Sequence, residues 1–357
     1  MSLINISDKV QKRFKIASSL SLGIVIFLIL VGGVVRSTGS GMGCPDWPKC
    51  FGYALPPTEA AQIEFKSGKI FQKGNMVIHN EALWKAKKTF TATDTFAETD
   101  WERYTKHDYA VFNPAHTWTE FLNRLVGAIT GLVILGMFIT ALPYRKHQFS
   151  VTLFSFLGLI LVMVEGWLGK MVVDSNLREG MITIHMIGAM LTLVALITAR
   201  ILAFPVTQKG SAVIQKTRFV AMGVGISVLT LIQIAIGTQV REKVDVVAKT
   251  LGEGNRAEWI ANLGQTYSIH TSFYLFLMLG IIFWVLQLRK TFAEIPQVRF
   301  FSIAMIVLLF TEILAGMTMN SLHIPPILQP VHLLLATLLF GVGYWITMLF
   351  ITVKTNK

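Results

Sequence analysis

Three histidines, His185, His270 and His332, and two glutamates, Glu165 and Glu312, lie inside otherwise apolar stretches of the chain. Ionisable groups are costly in hydrocarbon and mark a function there by default. Their spacing repeats. Positions 332 and 185 differ by 147, as do 312 and 165, and 316 and 169, so Glu165-x-x-x-Gly169 followed by His185 recurs as Glu312-x-x-x-Gly316 followed by His332. The same offset takes His270 back to Asn123, and Gly32-Gly33-Val34-Val35-Arg36 stands beside Gly237-Thr238-Gln239-Val240-Arg241 at the ends of two further apolar stretches. Two imidazoles on helices that run the same way, at similar depth, can approach one iron from opposite sides. His270 and His332 meet that description, whereas Asn123 and His185 offer one strong ligand and an open side. A packing or hydrogen-bonding role is the plain alternative for any one of these histidines. A nonhaem metal fits less well, since neither glutamate stands in a Glu-x-x-His arrangement. Glu165 and Glu312 are expected to hold helices together through Arg36, Arg241 or backbone partners.

Membrane-spanning helices must position these residues. Of 357 residues, 53% are hydrophobic and 15% charged, against about a quarter charged in a soluble domain. The 24 Phe, 8 Trp and 7 Tyr exclude disorder, 28 Gly and 11 Pro exclude collagen, and two cysteines are too few for a disulfide-framed miniprotein. Apolar runs near 16–36, 117–142, 149–173, 181–204, 219–240, 264–288, 299–319 and 328–352 can each cross the roughly 30 Å hydrocarbon layer, which takes about 20 helical residues. Pro143 and Pro205 close the second and fourth runs, Pro296 precedes the seventh, and Pro325, Pro326 and Pro330 surround the start of the eighth. The expected fold is an all-α integral membrane protein. Its eight transmembrane helices form two pseudo-symmetric four-helix bundles, residues 1–204, with a long external loop at 37–115, and residues 205–357. The repeats are parallel, because four is even.

The net charge of +12 would suit a nucleic-acid binder if it were gathered into one patch. Instead Lys9, Lys12, Arg13, Lys15, Arg145, Lys146, Arg289, Lys290 and Arg299 fall in the N-terminal tail and in alternate connections. The positive-inside rule then puts both termini in the cytoplasm, with the lipid bilayer as partner and no nucleic acid. The first residues carry no Arg-rich, acid-poor leader and no small-residue cleavage site, so the first span reads as a retained anchor in a bacterial plasma (inner) membrane. The loop at 37–115, with Trp84, Trp101 and Tyr104, reads as a small folded cap, either a lid over a site at the outer surface or a solvated insertion. Both cysteines lie in it, in Cys44-Pro45-Asp46-Trp47-Pro48-Lys49-Cys50. On the oxidising side a disulfide is the favoured state. Zinc would want more ligands close by, and covalent haem attachment a Cys-x-x-Cys-His motif. Structural and redox-active roles for the pair both stay open.

These residues resemble the haem A synthase family, and the resemblance covers almost the whole chain. It is carried by Gly32-Gly33-Val34-Val35-Arg36-Ser37-Thr38-Gly39-Ser40-Gly41, the Cys44 to Cys50 stretch, Glu120-Phe121-Leu122-Asn123-Arg124, Glu165-Gly166-Trp167-Leu168-Gly169, His185, His270 and Gln329-Pro330-Val331-His332. The resemblance implies that the C-terminal half holds a haem b through His270 and His332. It implies that the N-terminal half takes haem O, whose C8 methyl is oxidised to a formyl group by two successive hydroxylations, giving haem A for terminal oxidases. A Glu-x-x-His-Arg motif of the family reads Glu120-x-x-Asn123-Arg124 here. Glu120 and Arg124 match and the ligand histidine does not, leaving His185 as the iron ligand of that half and Asn123 facing the other side of the ring. His116, two turns before Asn123, stands about 10 Å further out. Glu120 is then the candidate to accept protons or stabilise positive charge beside the substrate, with Arg124 pairing with it or with a haem propionate. An interfacial ion pair is the plain reading of the same two residues. The implied partners are haem O, handed over by a haem O synthase, and an electron acceptor, with room for a homo-oligomer. The competing reading is a membrane di-haem b-type electron-transfer cytochrome without substrate oxidation.

Overall fold

The computed structural model describes residues 6–105, 111–175, 180–205, 207–209, 216–292, 294–352 and 354–356. Eight long helices dominate it: α1 (Asp8–Ser37), α2 (Pro114–Ala141), α3 (Phe149–Asp174), α4 (Met181–Ala203), α5 (Lys216–Leu251), α6 (Gly264–Thr291), α7 (Pro296–Ser321) and α8 (Leu328–Thr352). All eight are long and apolar enough to cross a membrane. Their outward faces carry Leu132, Ile139, Phe149, Leu279, Leu286, Phe300, Phe310 and Leu314, exposed to a degree that suits lipid and not water.

The helix starts follow local chemistry. Pro114 and Pro296 occupy the first helical turn of α2 and α7, where a missing N–H costs nothing. The Asn113 side chain accepts from His116 N at 3.2 Å, capping α2. Two helices outrun the apolar stretches that announce them. α1 begins at Asp8, and its Phe14 is fully buried against Tyr144 and Phe204. α5 has 36 residues, about 54 Å at 1.5 Å per residue, well beyond the hydrocarbon layer. Its charged end, from Arg241 to Leu251, stays helical because Val244 and Val247 pack with Trp259, Leu263 and Ile324 in a small core of their own.

α1 packs on α2, α2 on α3, α3 on α4 and α4 back on α1. α5 packs on α6, α6 on α7, α7 on α8 and α8 back on α5. Across the middle, α8 touches α1 and α4, and α4 touches α5. α4 and α8 are the most enclosed of the eight, and they carry His185 and His332.

The segment between α1 and α2 is folded. It contains β1 (Ile70–Phe71), β2 (Met76–His79), β3 (Ala82–Ala86), β4 (Phe90–Thr91) and β5 (Trp101–Arg103). The order β2-β3-β5 is antiparallel throughout, with Val77 opposite Trp84 and Lys85 opposite Glu102, and β1 pairs separately with β4. Phe71, Val77, Ala86 and Trp101 form one small core, with Phe65, Phe90 and Phe96 packed on it. Cys44, Cys50, Phe51, Ile63, Met76 and Leu83 form another. A segment with its own buried aromatics is more than a solvated insertion. Cys44 and Cys50 are joined as a disulfide.

Candidate functional site

His270 enters from α6 and His332 from α8. Their ring centres lie 6.4 Å apart, with the ring planes at 76°. Two imidazoles bound through nitrogen to opposite sides of one metal, each at about 2 Å, put their ring centres roughly 6 Å apart, so this pair has the separation of a shared axial site. Among the described residues no group of three or more His, Cys, Asp or Glu side chains converges on one point. A metal held by these two rings would take its remaining ligands from its own carrier, as an iron porphyrin does with four ring nitrogens.

Each ring is set by its surroundings. Glu312 on α7 places Oε1 3.1 Å from His332 Nδ1, and Glu165 on α3 places Oε2 2.8 Å from His185 Nδ1. This corrects the expectation that the two glutamates reach Arg36, Arg241 or backbone groups. Those arginines both pair with Asp245, and Arg241 Nη2 also donates to Arg36 O at 3.1 Å. Among the described residues no carboxylate lies beside His270. The Gln233 amide nitrogen donates to the His270 carbonyl at 3.0 Å and lies 3.2 Å from His270 Nδ1.

A glycine on a neighbouring helix faces each of these side chains. A Cβ at Gly237 would sit 3.1 Å from His270 Cε1, at Gly316 3.4 Å from His332 Cε1, at Gly169 3.8 Å from His185 Cε1, and at Gly32 4.0 Å from Asn123 Oδ1. Only at Gly237 would the added Cβ crowd the ring; at Gly316, Gly169 and Gly32 it would meet its neighbour at ordinary contact distance. Asn123 Oδ1 is buried with no hydrogen-bond partner, a free acceptor next to α1.

Glu120 and Arg124 serve the disulfide loop. Glu120 is 3% exposed. Its Oε2 accepts from Cys44 N at 2.8 Å, and its Oε1 accepts from Arg124 Nη2 at 2.5 Å. Arg124 also donates to the carbonyls of Asp46 (2.6 Å), Lys49 (3.2 Å) and Cys44 (3.2 Å). Thr117 Oγ1 donates to Gly43 O at 2.9 Å. A Cβ at Gly43 would meet the backbone of His116 and Thr117 at 2.5–2.7 Å, so only glycine lets the loop lie this close on α2. Within the loop, burial pushes the Asp46 carboxyl above its ordinary value, opposed by the Gly52 N–H at 2.9 Å and by Arg124. His116 stays at the capped start of α2, a backbone contributor to this packing.

The chain matches the family model described as cytochrome oxidase assembly protein over residues 15–91 and 72–343. It belongs to this family. Curated relatives carry the name haem A synthase. The one from Shewanella oneidensis is 22% identical over 169 residues, covering 47% of this chain and 39% of that protein. The one from Exiguobacterium is 22% identical over 222 residues, covering 62% and 55%, and that from Paracoccus denitrificans 25% identical over 327 residues, covering 85% and 78%. In the first two alignments the chain spans about half the length of the relative. Geometry supplies what sequence reasoning missed: Asp245, Gln233 and the pairing of Glu165 and Glu312 with His185 and His332. Asp245 was signalled only by standing four residues after Arg241, one helical turn on.

Proposed function

We propose that the chain is a haem A synthase, oxidising the C8 methyl of haem O to a formyl group by successive hydroxylations. The observation that carries this reading is an asymmetry at matched positions. One site presents two imidazoles 6.4 Å apart, while the other presents His185 and the unpartnered Asn123 Oδ1. Residues 205–357 hold a haem b through His270 and His332, and residues 1–204 take haem O with His185 on its iron and Asn123 toward the opposite face. The two four-helix bundles are pseudo-symmetric on this reading, with both termini cytoplasmic and the folded segment between α1 and α2 on the outer side. The matched contacts support that symmetry. Gly33 packs on Pro330 and Leu333 between α1 and α8, and Thr238 meets Thr183 at 2.7 Å between α5 and α4. Each contact lies one residue from a glycine that faces a site, Gly32 or Gly237, and two residues from His332 or His185.

When bound, the haem b supplies one-electron redox chemistry. The protein orients and encloses. His270 and His332 fix the resident ring, and His185 fixes the substrate. Glu120 acts through its clamp: by holding Cys44 N and Arg124 it seats the disulfide loop on α2 one turn from Asn123, so the role implied for Glu120 and Arg124 is exercised at the outer edge of the substrate site. Bacterial relatives and the eight apolar helices support a bacterial inner membrane, with haem O delivered by a haem O synthase in the same bilayer.

Co-expression with a haem O synthase, followed by chromatography of extracted haems, tests the reading. Haem A or its hydroxylated precursor is the expected product. Bound haem b with neither of these would identify a di-haem electron-transfer cytochrome instead.

A further inference from the structure

The two glutamates inside α3 and α7 have no part in the function so far, yet each is buried beside a histidine proposed to bind iron. Glu165 Oε2 lies 2.8 Å from His185 Nδ1 and Glu312 Oε1 3.1 Å from His332 Nδ1, both at ion-pair distance, while among the described residues neither Nδ1, neither Glu165 oxygen nor Glu312 Oε2 makes a hydrogen bond to any partner. A carboxylate beside one imidazole nitrogen holds the proton there and leaves the other nitrogen as a lone-pair donor. It also strengthens that donor, because the shared proton moves negative charge onto the ring.

A second feature is the room left for the carboxylate. Gly188, three residues after His185 on α4, leaves the space that the Glu165 carboxylate fills, and a Cβ there would collide with Glu165 Oε1. The far site differs. His270 is flanked by the neutral amide of Gln233, so in the pair His270 and His332 only one ring has an anionic partner.

We propose that Glu165 and Glu312 are positioning residues that set the tautomer and donor strength of His185 and His332, giving each haem site one strengthened imidazole and lowering the reduction potential of the iron it holds. This rests on the reading of those histidines as haem ligands. A stronger donor stabilises the oxidised iron more than the reduced iron, so weakening it moves the potential upward. In the first half the strengthened ring stands alone opposite Asn123; in the second it is balanced by His270.

The test uses the full-length protein purified with its haem. Glu312→Gln is expected to keep a low-spin b-type spectrum, shift the midpoint potential upward, and release haem to an acceptor protein about tenfold faster, within the range for lost outer partners of metal ligands. A pair that merely ties α7 to α8 would lower the melting temperature and leave potential and release unchanged, and that result overturns the proposal. His332→Ala runs in parallel. Loss of its low-spin spectrum alongside an unmoved Glu312→Gln potential defeats the proposal and leaves ligation standing, whereas an unchanged His332→Ala spectrum defeats ligation itself. Gly188→Ala is the independent route, should Glu312→Gln fail to accumulate. It keeps every polar side chain and displaces Glu165, so it should raise the potential of haem bound in the first half alone, and an unmoved potential there overturns the proposal.

Discussion

The α1–α4 site and the α5–α8 site set a polar side chain against a glycine at matched positions, with different side chains and different tightness. Where α5–α8 sets Gly237 and Gly316 with room for a Cβ only at 3.1 and 3.4 Å from their imidazoles, α1–α4 sets Gly32 and Gly169 at 4.0 and 3.8 Å from Asn123 and His185. The His332 side chain is 24% exposed and that of His185 41%. The looser site also lacks a second imidazole, and the folded segment between α1 and α2 is held by Glu120 and Arg124 on the helix that carries Asn123. A site that keeps its haem profits from two ligands and close helices. One that must admit a substrate and release a product profits from a single ligand, open packing and a cover. The difference between the halves therefore has the direction that the proposed function asks for, with exchange in one and retention in the other.

The largest effect expected is on the tight site. On the proposed ligation His332→Ala removes one of the two imidazoles that would hold haem b, and the low-spin b-type spectrum of the purified protein should disappear. A retained low-spin spectrum would erase the contrast between the halves. Nearly as large is the converse change in the loose site, where Asn123→His supplies the missing imidazole. Haem bound in the first half should then pass from high-spin to low-spin, as read by electron paramagnetic resonance. If it stays high-spin, the Asn123 position does not face the iron.

Glu120→Ala tests the cover. The Glu120–Arg124 pair is buried, with side chains 4% and 13% exposed, and removing one partner strands the Arg124 charge and the Cys44 N–H. A destabilisation of about 3 kcal/mol is expected, seen as a lower melting temperature, with haem b content unchanged and haem O conversion lost. Retained conversion would detach the clamp from the chemistry.

The comparison between halves was half visible in the sequence. The offset of 147 places His185 against His332 and Asn123 against His270 because helices of similar length and spacing keep residue number proportional to depth. The start at Pro296 was marked by proline, and the disulfide by two cysteines in one loop. The pairing of Glu165 with His185 was hidden, because it depends on how α3 and α4 are rotated against each other, and neither residue carries a local signal of that rotation. The end of α5 was hidden for a different reason. Arg241, Glu242 and Asp245 interrupt the apolar run, and the core that keeps the helix intact comes from Trp259 and Leu263 beyond its end and from Ile324, far along the chain. The strands between α1 and α2 run only two to five residues, too few for alternation to stand out.

The smallest effects belong to the seam where the halves meet. On one side Gly33 approaches Pro330 so closely that a Cβ would sit 3.1–3.2 Å from its Cα and Cβ; because one of those atoms is backbone, α1 and α8 would have to part slightly. On the other side Thr183 and Thr238 share a hydroxyl bond of 2.7 Å, and Thr238 has a second partner in the Ala235 carbonyl at 2.7 Å. Gly33→Ala should therefore cost about 1 kcal/mol or more through overpacking. Thr183→Ala should cost about 0.6 kcal/mol, the typical worth of one interhelical hydrogen bond in a membrane protein, since Thr238 keeps its backbone acceptor. Unfolding in mixed detergent should rank the two in that order. The reverse ranking would mean that the hydroxyl pair, and not the glycine contact, is what holds the halves together.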